Sequence, residues 1–203
     1  MRPFMQFLKM LTFFFLIGIF VCSCSSTQFL RVNYQLPAKS ESLQGAEVSL
    51  IFKDMRKNPA IISRSAKKEL RDFSGDFTLV VGREKENGKL IGAFDLSSML
   101  KEIFKQRLEN TGINVSEEKH LETQIEFVLN EFILDYEDRN WKITMSYQTN
   151  LKKESRVVVS ESVSGQAERI KVIGNKEAEK VIGELITDMV NKIDLQQLFG
   201  QVG

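Results

Sequence analysis

Between residues 121 and 167 the chain alternates apolar and polar side chains almost without a break. No other feature restricts its fold so tightly. A period of two sends successive side chains to opposite faces of a sheet. Trp141, Ile143, Met145, Tyr147, Thr149 and Leu151 alternate strictly with Lys142, Thr144, Ser146, Gln148, Asn150 and Lys152. One face of that strand is therefore buried and the other wet. In the preceding run Leu121, Thr123, Ile125, Phe127 and Leu129 share a parity, but past Asn130 the apolar set moves to Phe132, Leu134 and Tyr136. A change of parity inside one run predicts a β-bulge. Val157, Val159, Val163 and Ala167 mark the inner face of a third strand. Polar turns at 137–140 and 153–155 join the three into an antiparallel meander.

A one-faced sheet needs a cover, and two segments have the 3.6-residue period to supply it. The first spans 96–111. Asp95 is placed to cap it, and Leu96, Met99, Leu100, Ile103, Phe104 and Leu108 line one face. Gly112 follows, where a left-handed cap is easiest. The second spans 176–193 behind Asn175 as N-cap, with Ala178, Val181, Ile182, Leu185, Ile186, Met189, Val190 and Ile193 on its apolar face. Shorter alternating runs add strands near 30–36, 46–53 and 77–81, and 113–115 starts a return to the sheet. Residues 64–75 are highly charged and show no clear period. The expected class is α+β, a two-layer sandwich of a mostly antiparallel sheet with two helices on one face.

The N-terminus carries a different signal. Arg2 and Lys9 precede an uncharged apolar stretch, 11–21, that ends in Val21-Cys22-Ser23-Cys24-Ser25-Ser26. About eleven apolar residues are too few for the roughly 20 that cross a bilayer. They suit the core of a cleaved secretory signal. Val21, Cys22 and Ser23 before Cys24 resemble the bacterial lipobox. That resemblance implies a cleaved signal peptide at 1–23, a thioether-linked diacylglycerol on Cys24 and an acyl chain on its freed amine. Residues 24–28 then form a short lipidated tether to one domain at 29–203. Ser25, where enterobacterial inner-membrane lipoproteins carry Asp, points to the outer membrane and a periplasmic face.

Removing 23 residues from 203 leaves 180, with 26 basic side chains (28 less Arg2 and Lys9) against 27 acidic ones. A near-neutral chain offers no strong field for nucleic acid. Cys24 is then the only cysteine, so an internal disulfide and a cysteine-based metal site are both excluded. The lone histidine, His120, sits in a charged connection. Ser97 and Ser98 lack a nucleophile motif, and no phosphate-binding loop occurs. Glu131, Asp135, Glu137 and Asp138 read as solubilising charges around a hairpin rather than an acid–base pair. The expectation is no enzyme, no metal and no cofactor beyond the acyl chains on Cys24.

Four side chains remain as partner-binding candidates. Asp54 and Arg56 open a loop in which the carboxylate takes local backbone N–H groups, with a partner-binding role as the alternative. Trp141 starts the alternating strand and reads as core or rim packing before interface anchor. Phe199 closes Leu195-Gln196-Gln197-Leu198-Phe199, a tail that either docks on a partner or folds back on the core.

Together the lipobox, the Val48–Arg56 stretch VSLIFKDMR, the RLENTGI helix end at 107–113 and the closing NKID at 191–194 make the chain resemble the YajG-like lipoproteins. That resemblance implies an α+β outer-membrane lipoprotein with no established catalysis. The chain is more remotely similar to auxiliary lipoproteins of ABC-type lipid transporters, which combine a lipobox, a meander and two helices. Their aromatic-acidic motif is absent here, since Gly92-Ala93-Phe94-Asp95 stands before the first helix. The expected function is an accessory or scaffold subunit of an envelope assembly, held by the membrane and bound to an envelope protein. The alternative is a lipid-binding transport auxiliary with a lipid ligand.

Overall fold

The computed structural model describes residues 28–83, 88–116 and 121–200. Strand β1 (Gln28–Leu36) pairs in parallel with β3 (Phe73–Arg83), which pairs antiparallel with β4 (Lys89–Phe94). A second sheet has the order β5 (Asn114–Ser116), β2 (Glu47–Asp54), β6 (Thr123–Glu137), β7 (Asn140–Lys153), β8 (Arg156–Ile170). Here β2 is parallel to both its neighbours, and β6, β7 and β8 form the antiparallel meander. Helices α1 (Arg64–Glu69), α2 (Leu96–Glu109), α3 (Lys176–Asn191) and α4 (Leu195–Gly200) complete the α+β architecture.

The meander follows the alternation closely. Register between β6 and β7 shifts between Leu129 and Glu131, so Asn130 is the extra residue of a bulge. The bulge returns Phe132 and Leu134 to the face already held by Ile125, Phe127 and Leu129, and all five are buried. Both hairpins have two-residue turns with positive φ at both positions, Asp138 and Arg139 in one, Glu154 and Ser155 in the other. That conformation matches the twist of the strands it joins, and it persists here without glycine.

Phe104 of α2 stacks on Phe127 at 3.8 Å and meets Tyr147 edge-on at 5.2 Å. Phe77 of the small sheet meets Phe132 of the large one edge-on at 6.3 Å. The two sheets thus share one core, with α2 and α3 in it. The Tyr147 hydroxyl donates to the Met189 carbonyl at 2.8 Å, which ties α3 to β7.

Three features depart from the sequence reading. The strands divide into two sheets, because β1 takes β3 rather than β2 as partner. Residues 64–69 form a helix, capped by Ser63, whose hydroxyl accepts from the Ala66 N–H at 3.1 Å. Asn175 makes no side-chain cap to α3; its amide instead donates to the Gln28 Oε1 at 3.1 Å.

The open edge of β1 is closed by a stripe on α3. Glu179, Gly183, Thr187 and Asn191 recur every fourth residue and so share one helix face. The Arg31 N–H donates to Glu179 Oε1 at 2.9 Å, and the Gln35 N–H to Thr187 Oγ1 at 3.1 Å. Asn191 donates to the Gln35 carbonyl at 2.8 Å and accepts from the Tyr34 hydroxyl at 2.9 Å. Between them Gly183 lets the backbones touch, since a Cβ there would lie 2.7 Å from the Asn33 carbonyl oxygen. A Gly183→Ala variant is expected to lose about 1–3 kcal/mol to overpacking, although alanine is the better helix former. A lowered urea midpoint, against no loss for Gly200→Ala, checks this.

Candidate functional site

Strand β2 ends on Asp54, and the chain turns back through a charged loop. The Asp54 carboxylate receives Arg56 Nε at 2.9 Å, Arg56 Nη2 at 2.8 Å and the Arg56 backbone N–H at 3.2 Å. Arg56 Nη1 reaches the carbonyls of Ala60 and Phe132, each at 3.4 Å. The guanidinium is nearly buried. Hydrogen bonds from Arg56 hold the Asp54 carboxyl below the usual carboxylate range. The pair is a clamp that sets the loop's shape, and its charges face each other. Beside it lies a cleft of about 370 Å³, walled by the loop and by the bulged stretch of β6 at Asn130 and Glu131, with Met55 exposed at its rim.

The other candidates lie elsewhere. Trp141 is fully enclosed, with its ring 4.8 Å from Tyr136. The interface-anchor alternative therefore fails, because no part of the indole reaches the surface. Phe199 belongs to α4, where Leu195 and Leu198 are buried and Phe199 packs partly on the core. The tail folds back. Trp141 begins β7, whereas α4 lies by Val158 and Val159, opposite the far end of the same strand. The four residues do not converge. Cys24 and His120 lie outside the described residues.

The carboxylates singled out by sequence are also apart in role. Asp135 accepts from the hydroxyls of Ser63 and Ser65 and from the Tyr136 N–H, so it fastens the start of α1 to β6. Those serine hydrogen bonds keep it ionised. Glu131 is exposed at the bulge. Sequence reasoning missed Glu126, which is 4 % exposed on the outward face of the large sheet. Its carboxylate receives Lys53 at 2.6 Å, Lys152 at 2.8 Å and the Asn150 amide at 3.2 Å. Burial opposes its charge, but the bonds from Lys152, Lys53 and Asn150 prevail and lower its pKa to about 2. The alternation on that face had hidden it among solvated residues.

A second unanticipated group is Arg107 of α2. Its Nε is buried without a hydrogen-bond partner among the described residues, and burial lowers its pKa beside the Tyr34 and Tyr147 rings. Burial likewise holds both phenols neutral. Among the described residues no cluster of three or more His, Cys, Asp or Glu side chains is placed to hold a metal, and no helix is long and apolar enough to cross a membrane.

Fold and site thus define an α+β domain in which Asp54 and Arg56 hold a loop, Asp135 a helix start and Glu126 a sheet face. No protein-family model matches the chain, and no curated protein does. Among solved structures it is similar to protein XCC0632 of Xanthomonas campestris, of the DUF330 family, with 14% identity and a TM-score of 0.58. That likeness covers 86% of this chain and 98% of the other, and it establishes a shared fold. Weaker likenesses reach the PelC dodecamer of Paraburkholderia phytofirmans (10% identity, 72% and 89% covered, TM-score 0.35) and lipoprotein GNA1162 of Neisseria meningitidis (14%, 72% and 96%, 0.31).

Glu126 generates a pH prediction. Its folded pKa of about 2 lies below the ordinary 4.5. The stability it contributes is present above about pH 4.5 and is lost as pH falls toward 2. At neutral pH that contribution is on the order of 2 kcal/mol, after allowing for the exposed Lys53. Urea midpoints between pH 5 and 2 are expected to fall more steeply for the wild type than for Glu126→Gln.

Proposed function

We propose that the protein is a lipid-anchored, non-catalytic accessory or scaffold subunit of an envelope assembly. In this reading Cys24 carries the acyl chains, and the domain faces the periplasm from the outer membrane. A place among the YajG-like lipoproteins belongs to the same proposal. The observation that carries it is the outer edge of β8. This strand runs for 15 residues at the end of the five-stranded sheet, and among the described residues it pairs only with β7. Such an edge presents a row of backbone donors and acceptors to any chain that can add a strand. Val157 and Val158, 53% and 47% exposed, add apolar contact at its start. That backbone bonding capacity is suited to another polypeptide, whereas Asp54, Arg56, Glu126 and Asp135 are engaged within the domain.

A second reading makes that assembly an ABC-type lipid transporter and this chain its lipid-binding auxiliary. Its site in this reading is the shallow surface groove over the β1–α3 contact, about 470 Å³ of space lined by Gly183 and Thr187 and by charged residues such as Glu179, Lys180 and Asp188. Native mass spectrometry of the anchor-free protein with added phospholipid separates the two readings: a stoichiometric lipid adduct supports the second, and its absence leaves the first.

The anchor and the edge are tested together in the native host. Palmitate labelling is expected for the wild type and lost in Cys24→Ala, with release of that variant from the membrane fraction. A photo-crosslinking residue at Val158 is expected to capture an envelope protein, and one at Lys101 on α2 is not. Persistent labelling of Cys24→Ala, or no adduct at Val157, Val158 or Ser160, counts against the proposal.

A further inference from the structure

Three of the most exposed large apolar side chains of the described residues fall within four positions: Ile170, Val172 and Ile173, at 68%, 72% and 82%. They occupy the last position of β8 and the connection from it to α3. This connection is fastened at both ends. The Lys171 N–H donates to the Arg139 carbonyl at 2.8 Å, and the Asn175 amide donates to Gln28 Oε1 at 3.1 Å. Gly174 supplies the positive φ of the turn between them. Lys171, the one charged residue among the three, points its ammonium to Glu69 and over the Tyr136 ring, 5.2 Å from the centroid. The apolar side chains are left without a charge between them. Phe29, 41% exposed, follows Gln28 and adds a fourth apolar group to this end of the domain.

We infer that Ile170, Val172, Ile173 and Phe29 form a membrane-contacting edge that seats the domain on the lipid surface. The inference rests on the proposed anchoring through Cys24. Three residues lie between Cys24 and Gln28, and the four residue steps from one to the other span at most ~14 Å when fully extended. Gln28 itself bonds the last residue of the exposed connection. Wherever the acyl chains enter the bilayer, this end of the domain is held against it. Apolar groups that project from a domain insert about 5–10 Å into the boundary between headgroups and acyl chains. Exposed apolar side chains gathered at one end of a domain mark an interaction site, and in the proposed setting the nearest apolar phase is the one that holds the anchor. The other exposed apolar residues lack this placement. Val158, near the opposite end of β8, lies twelve residues from Ile170, roughly 40 Å along the strand.

The contact acts as a second attachment. A lipid anchor on a short tether fixes only a distance, and the domain can still roll about it. A seated edge fixes orientation, so that β8 rises from the membrane with its open edge standing clear.

The test uses the full mature lipoprotein in vesicles of phosphatidylethanolamine and phosphatidylglycerol, 3:1. The thioether occupies Cys24, so Ile173→Cys, Val172→Cys and Val158→Cys each provide a single site for a polarity-sensitive fluorophore. Blue-shifted emission is expected at 172 and 173, with severalfold stronger quenching by lipids bearing a nitroxide near the headgroup than at 158. Intact-mass measurement of the same samples reports the lipid on Cys24. A lipidated, vesicle-bound protein whose 172 and 173 probes emit as in water and stay unquenched overturns the membrane contact alone. A mass without lipid overturns the anchoring reading, and this inference falls with it.

Discussion

The lateral contact between α3 and β1 is the interaction on which the rest of this structure depends. A three-stranded sheet whose first strand is an edge has a row of unsatisfied backbone groups along it. Here the row is satisfied by side chains of a helix, at Glu179, Thr187 and Asn191, with Gly183 admitting the close approach. Because the stripe is four residues apart, the opposite face of α3 remains free to bury Val181, Leu185 and Met189 against the large sheet. One helix therefore serves two sheets. Without it the outer edge of β1 would stay open to further strands, and the core that the two sheets share through Phe77 and Phe132 would lose one of its helices.

This explains why some of the fold was legible in sequence and some was not. The meander and its bulge are written locally, as alternation that changes parity at Asn130. The helices α2 and α3 are written as apolar residues at helical spacing. Sheet partnership is not local. The apolar positions of β1 would suit pairing with β2 or with β3, and the edge left over by pairing with β3 is closed by polar residues on α3 some 150 positions away. Read alone, Glu179, Thr187 and Asn191 look like the solvated face of an amphipathic helix. Helix α1 was hidden for a related reason. Its six residues bury only Ala66, so there is no apolar period to see. Its start is held by Ser63 and by Asp135 on β6, a tertiary contact.

The candidate site was legible to a similar depth. The Asp54–Arg56 spacing carried its meaning, because a carboxylate two residues before an arginine is within reach of both the backbone N–H and the guanidinium. Trp141 and Phe199 were ambiguous, since an aromatic residue at a strand or helix end serves a core as well as an interface. Burial resolves Trp141 toward packing, and Phe199, half-buried, packs in part on the core. Glu126 left no trace in the pattern. It stands at a polar position in an alternating strand, and only the neighbouring strands bring Lys53, Lys152 and Asn150 around it. A charge cluster assembled across three strands is invisible to any single-strand reading.

The two long edges of the molecule are treated in opposite ways, and this asymmetry bears on function. Both β1 and β8 are edge strands, and α3 runs between them. Its polar stripe is spent on β1. Toward β8 it offers packing instead: Met189 and Leu185 fit against Gly165, where a Cβ would meet the Met189 sulfur at 2.6 Å, and Arg169 is gripped by Glu177 and Glu184. These contacts fix β8 from beneath, and among the described residues no strand pairs with its outer backbone. Helix α4 packs on the core near Val158, at the head of that strand. An edge that is rigid, long and uncovered makes strand addition cheap for a partner, because no ordering of β8 remains to be done when the partner binds.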